Sequence, residues 1–156
     1  MRSESVTIKN IKISIVLQTS ERVKKAILNL ANSGEIGKKT SSFFIFRSTY
    51  IYTIFFIGHI NCTGIKTLSN IPTALDLILS HLQLGSECVT RQNIDSILAV
   101  GRISNYICMP SFANFLKKKK YNVQYNPQRF PGICIKKLPG CALTFLSGKV
   151  VYTGLK

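Results

Sequence analysis

The chain carries 21 lysines and arginines against six acids, a net charge of +15 over 156 residues. That excess is the most general chemistry it offers: it draws polyanions, nucleic acid above all and anionic membrane after it. No paired carboxylates stand out among the six acids. No nucleophile–base set or phosphate-cradling loop occurs, so the chain is not expected to be an enzyme. Cys62, Cys88, Cys108, Cys134 and Cys141 lack metal-ligand spacing, and His59 and His81 stand far apart. No metal or cofactor is expected. The cysteines read as free thiols in a reducing compartment; the alternative for Cys134 and Cys141 is a bridge across a hairpin.

The charge is uneven. Residues 1–88 hold ten basic and five acidic side chains, residues 89–156 eleven and one. The later half should therefore grip a phosphate backbone harder. The apolar run 43–60 is broken by Arg47, Ser48, Gly58 and His59, so no membrane span is read, and the N-terminus lacks a secretory pattern.

The aromatics are the second group to place. From Tyr125 onward the pattern gives strands 130–137, 141–146 and 149–153, with Pro139-Gly140 and Ser147-Gly148 as breakers. Phe130 opens the first strand and Phe145 closes the second, so both rings belong near one end of the hairpin pair. Taken alone, each reads more readily as core packing than as a binding residue.

The same stretch contains Asn-Pro-x-x-Phe-Pro-Gly (126–132), Leu-x-Phe-x-Ser-Gly-Lys-Val-Val (143–151) and x-Thr-Gly-x-Lys (152–156). Those words, in that order, resemble the C-terminal half of the TATA-box-binding protein family. The family is built from two copies of one unit, and a second copy is visible here. The stretch 53–66 parallels 142–156, Cys62-Thr63-Gly64 answers Tyr152-Thr153-Gly154 at an offset of 90, and Asn10-Ile11 answers Asn93-Ile94 at an offset of 83.

Periodicity and breakers set the elements that hold these residues. Val6 to Leu17 alternates apolar and polar, a strand with one buried face. Thr19-Ser20-Glu21 caps a helix with apolar residues at Val23, Ala26, Ile27, Leu30 and Ala31, ended by Asn32-Ser33-Gly34. Residues 41–47 and 50–56 form a hairpin, and 59–63 a third strand. A second, very apolar helix runs 72–82 and stops at Gly85. The later half repeats the order: a strand within 91–102, a helix 110–119 closed by Lys117–Lys120 at the negative end of its dipole, then the three strands. The Lys117–Lys120 run is either a solvated helix end or a phosphate contact.

The expected class is therefore α+β. The resemblance implies two pseudo-symmetric repeats, 1–88 and 89–156, forming one curved antiparallel sheet, a saddle with helices on the convex face only; the second repeat lacks the family's final helix. The bare face would be the binding surface. It implies binding of AT-rich duplex in the minor groove, whose few hydrogen-bonding groups suit apolar contacts and a few amides, with Phe wedges kinking the helix. By position, Phe130 and Phe145 match the wedging pair of the second half, and Phe56 the second aromatic of the first. Ser41 stands where the fourth should be, with Phe43 two residues on as its substitute. Asn10 and Asn93 match the central amides, Thr63 and Thr153 the hydroxyls beside them, and Ile54, Leu143 and Val151 the apolar floor. Lys12, Asn61 and Asp95 depart from valines of the family's floor, and Asp95 would repel phosphate. Arg47, Lys136, Lys137 and Lys149 are the expected phosphate contacts.

The implied partners are AT-rich double-stranded DNA and transcription initiation factors or the RNA polymerase machinery, in the nucleus or a viral transcription compartment. Gln128-Arg129 replaces the acidic residues used to recruit the next factor. The apolar helix 72–82 suggests a different protein partner or a dimer. The competing function is a protein-interaction module or regulator that kept this fold and lost specific TATA binding.

Overall fold

In the computed structural model, residues 6–138 and 140–155 are described, the side chains of Lys137 and Leu138 excepted. Pro139 of the expected turn, the phosphate role of the Lys137 side chain and the closing Lys156 thus lie outside the described residues. The elements run β1 (Thr7–Leu17), α1 (Glu21–Ala31), β2 (Ile36–Lys39), β3 (Phe43–Arg47), β4 (Ile51–Phe55), β5 (His59–Ile65), α2 (Ile71–Leu82), β6 (Val89–Arg102), α3 (Met109–Lys118), β7 (Val123–Gln124), β8 (Ile133–Leu138), β9 (Gly140–Thr144) and β10 (Lys149–Leu155). The class is α+β, as expected. Two short strands, β2 and β7, were not visible in the periodicity, because four and two residues are too few to show alternation.

Packing divides the chain into two units: Asn10–Asp95, and Ser96 onward together with the first residues of β1. Both β1 and β6 contribute residues to each unit. In the earlier unit the strand order is β2-β3-β4-β5-β1; in the later it is β6-β10-β9-β8-β7. Neighbours within each order pair antiparallel.

The earlier unit has one strongly apolar face. Ile11, Ile13, Ile15 and Leu17 alternate with half-exposed neighbours along β1, and Phe44, Phe46, Tyr52, Ile54, Ile60 and Cys62 continue the buried side. Two helices cover it. Ser20 Oγ accepts from Val23 N at 3.2 Å, the N-cap its sequence announced. Val23, Ile27, Leu30 and Ala31 of α1 then face inward. Pro72 sits in the first turn of α2, where its missing N–H costs nothing. The helix buries Ile71, Ala74, Ile78, Leu79 and Leu82, and Tyr52 Oη donates to Ala74 O at 2.6 Å. Its apolar composition is thus largely accounted for inside its own unit, with Leu75 and Leu77 half-buried.

The later unit packs α3 on its sheet: Met109, Ala113 and Leu116 meet Ile133, Ile135, Ala142 and Val150. Among the described residues no helix follows β10, and Ile103, Phe115 and Tyr121 remain exposed on the helix side.

Candidate nucleic-acid interface

Alternation decides which side chains reach the face that the helices leave bare. In β3 and β4 the buried residues are Phe44, Phe46, Tyr52 and Ile54, so Phe43, Ile45, Arg47, Ile51, Thr53 and Phe55 take the other side. In β5 the bare side holds His59, Asn61 and Thr63, and in β1 it holds Asn10, Lys12 and Ser14. In the later unit Ile133 and Ile135 point to the core, which leaves Cys134 and Lys136 on the bare side of β8. Cys141 and Leu143 of β9 share that side, with Lys149, Val151 and Thr153 of β10.

Pairing registers show which residues of the two units correspond. Phe44 pairs with Ile54 as Ile133 pairs with Thr144. Gly58 N donates to Phe55 O at 2.9 Å as Gly148 N donates to Phe145 O at 2.8 Å, and both glycines have positive φ. Phe145 therefore corresponds to Phe55. This corrects Phe56, which lies on the helix side: its ring centroid is 5.6 Å from that of buried Phe44, and it lines a hollow with Val23 and Lys24 of α1. It also corrects Ile54, which is fully buried; Thr53 holds the floor position that Leu143 holds in the later unit. The signal was in the sequence. The offset of 90 that joins Thr63 to Thr153 also joins Gly58 to Gly148, and hence Phe55 to Phe145.

The aromatic pairs are built in two ways. Phe130 precedes β8, in a turn where its N–H donates to Asn126 O at 3.0 Å, and its ring lies edge-on to Phe145 with centroids 5.9 Å apart. Gly132 makes room: a Cβ there would come within 2.7 Å of the Phe130 ring and 3.0 Å of the Phe145 ring. In the earlier unit the register puts Phe43 at the position of Gly132 and Ser41 at that of Phe130. Phe43 fills the space itself, with its ring 5.5 Å from that of Phe55. Each unit thus carries two facing rings, Phe130 with Phe145 and Phe43 with Phe55.

The long first strands follow a different offset from the hairpins. Ile11 pairs with Ile65 and Ile13 with Cys62, across a bulge; Ile97 pairs with Leu155 and Ala99 with Tyr152, across a matching bulge. Ile97 corresponds to Ile11, so Ser96, not Asn93, takes the place of Asn10. Asn93 lies three residues earlier and is exposed. The pairing of Asn93 with Asn10 is corrected accordingly, and so is the floor role of Asp95, whose position in the register belongs to Leu98. Asp95 instead accepts a hydrogen bond from Ser14 Oγ at 2.9 Å. Asn10 is oriented by Gly64, whose N–H donates to its Oδ1 at 2.7 Å. That bond uses the acceptor end of the amide and leaves Nδ2 as the group available to donate.

The two floors consequently differ in chemistry. The earlier unit presents Lys12, Ser14, Thr53 and Asn61. At the corresponding positions the later unit presents Leu98, Val100, Leu143 and Val151. The flanking positive charge is matched: Arg47 and Lys136 occupy the same register position and are both exposed. Lys149 is exposed at the start of β10. Thr63 and Thr153 are both half-buried, one residue before the positive-φ glycines Gly64 and Gly154. A face of this composition, with apolar rings and aliphatic floor ringed by cations, can stack on bases, line a groove and neutralise phosphate.

Comparison with other proteins gives concordant results. The family model for "Transcription factor TFIID (or TATA-binding protein, TBP)" matches residues 92–156. The TATA-box-binding protein of Picrophilus torridus is 32% identical over 161 aligned residues, covering 98% of this chain and 86% of that protein. That of Thermoplasma acidophilum is 29% identical, with coverage of 98% and 86%. Both sources are archaeal, so a nuclear location draws no support from them. Among solved structures, Methanococcus jannaschii TBP matches with a TM-score of 0.71 at 23% identity, over 97% of this chain and 88% of that one. At that identity the match speaks to the fold.

Proposed function

Because this chain belongs to the TATA-box-binding protein family, whose members are non-enzymatic transcription factors, we propose that it binds AT-rich duplex DNA in the minor groove and bends it with its aromatic pairs. The observation that carries this reading is the recurrence of two facing rings on the helix-free side of each unit, Phe43 with Phe55 and Phe130 with Phe145. Rings so placed wedge between base steps at a cost of a few kcal/mol per unstacked step, offset by the surface that a bent duplex presents. The floors set what is read. Leu98, Val100, Leu143 and Val151 suit the shallow, donor-poor edge of A·T pairs. Lys12, Thr53 and Asn61 offer polar contacts, so the DNA segment facing the earlier unit should be less strictly constrained to A·T. Asn10 donates through Nδ2 to a base acceptor. Arg47, Lys136 and Lys149 contact phosphate, as does the Lys117–Lys120 run if the duplex reaches it. Initiation factors are the accompanying protein partners; one that used α2 would meet Leu75 and Leu77.

The second reading is an interaction module that no longer selects TATA-like sites. Ser41 and the polar floor of the earlier unit favour it. One experiment separates the two. Selection from a randomised duplex pool, followed by energy-transfer bending measurements on the winners, should return AT-rich sites that are bent on binding. Sites without AT preference and a straight bound duplex would leave the interaction module as the function.

A further inference from the structure

We propose that Cys134 and Cys141 form an oxidisable dithiol on the helix-free side of the later unit, closed by a hydroperoxide to an intramolecular disulfide. Their sulfurs lie 2.9 Å apart across β8 and β9, and both are free thiols. A disulfide spans about 2.05 Å, so the sulfurs need approach by only about 0.9 Å. Both side chains are half-buried on the face that carries Leu143 and Phe145. Fold packing does not require sulfur there. The corresponding positions of the earlier unit are Ile45 and Ile51, which fill the same sites with aliphatic groups. Cys62 and Cys88 are buried, and the exposed Cys108 donates to Ser111 Oγ rather than facing a second sulfur.

The chemistry balances with one hydroperoxide per disulfide. Burial, and then the hydrogen bond with Cys134, pushes the Cys141 thiol up to about 11. Burial thus disfavours the Cys141 thiolate. One of the two sulfurs, as thiolate, takes the terminal oxygen of the hydroperoxide, becoming a sulfenic acid as the O–O bond breaks and alcohol or water leaves. The other sulfur then displaces that hydroxyl as water and forms the S–S bond. Two electrons pass from the two sulfurs to the peroxide.

The test uses the full chain treated with hydrogen peroxide. Trypsin cuts at Lys136 and Lys137, so the Cys134 and Cys141 peptides stay joined only if the disulfide has formed. Wild type and Cys108→Ser should give the joined peptide, lighter by two hydrogens and separated by dithiothreitol; Cys134→Ser and Cys141→Ser should give none. Separate peptides at full oxidation, or Cys134 recovered as a sulfinic acid, would overturn the proposal. A second arm rests on the DNA reading. AT-rich duplex at ~10 times its Kd should slow closure roughly tenfold, in proportion to the free chain. Closure that DNA does not slow would uphold the dithiol and overturn the claim that DNA covers this face.

Discussion

Phe55 ends β4 against Phe43, while Phe56, one residue later, packs on Phe44 beneath α1. Adjacent residues of a strand point to opposite faces, so a slip of one in an alignment exchanges a ligand contact for a core contact. The two variants should behave differently. Phe55→Ala should remove most of the bending at the earlier unit's end and leave thermal stability within about 1 kcal/mol, since its ring packs on Phe43 on the helix-free side and not on the core. Phe56→Ala should bend DNA as wild type does but lose about 2 kcal/mol of stability, because it empties space against Phe44. Energy transfer on a labelled duplex and urea unfolding read the two quantities. The reverse pattern would restore Phe56 to the interface. The resemblance marks Ser41 as the place of a missing aromatic, and the register sets it at the position of Phe130. That Phe43 replaces it was legible only as a possibility, because it depends on Phe43 occupying the volume that Gly132 leaves to Phe130 in the later unit.

At the scale of elements, periodicity placed the helices well, but α2 ends in a cap at Gln83, left-handed with φ +54°, and not at the expected Gly85. Ser20 caps α1, and Pro72 and Pro110 mark the starts of α2 and α3. The apolar richness of α2 invited a partner, yet most of it is buried under its own sheet, and the buried phenol of Tyr52 ties the two together. Tyr52→Phe removes that donor and keeps the ring. It should lower stability by about 1 kcal/mol, the usual net worth of one such hydrogen bond. Denaturant midpoints at unchanged slope would measure it. An unchanged midpoint would mean that the helix is held by apolar contact alone. Register was the less legible part. Asn93-Ile94 repeats Asn10-Ile11 as words, but β6 pairs with β10 three residues further on, with Ile97 opposite Leu155. The apolar run Ile97 to Val100 fits the buried middle of a sheet better than Asn93 to Asp95 does, and pairing selects it.

For the molecule as a whole, the charge of +15 sets how binding responds to salt. The logarithm of affinity should fall linearly with the logarithm of salt concentration, by about 0.9 for each phosphate neutralised. Arg47 and Lys136 sit at one register position in their respective units. Arg47→Ala and Lys136→Ala should each flatten the slope by about 0.9 and weaken AT-rich and mixed duplexes alike, since phosphate contacts carry no sequence information. Slopes from fluorescence anisotropy at several salt concentrations would decide it. A variant that lost AT preference while keeping its slope would make its residue a base reader. The floors predict the opposite division of labour: selectivity for A·T should reside with the apolar later unit.

By itself the sequence determined the class of the fold, the placing of the helices, the Ser20 cap, the Phe130–Phe145 pair, and membership of the TATA-box-binding protein family. Those features are written in local words: breakers, caps, alternation and short motifs. Only the tertiary structure decided that Ser96 and Leu98 stand where Asn93 and Asp95 were expected, that Phe43 faces Phe55, and that the Cys134 and Cys141 sulfurs come within 2.9 Å. The physical reason is common to all of them. Which face a strand residue takes, and which residue it faces, is set by hydrogen-bond register and bulges against a neighbouring strand, and that neighbour is distant in the chain.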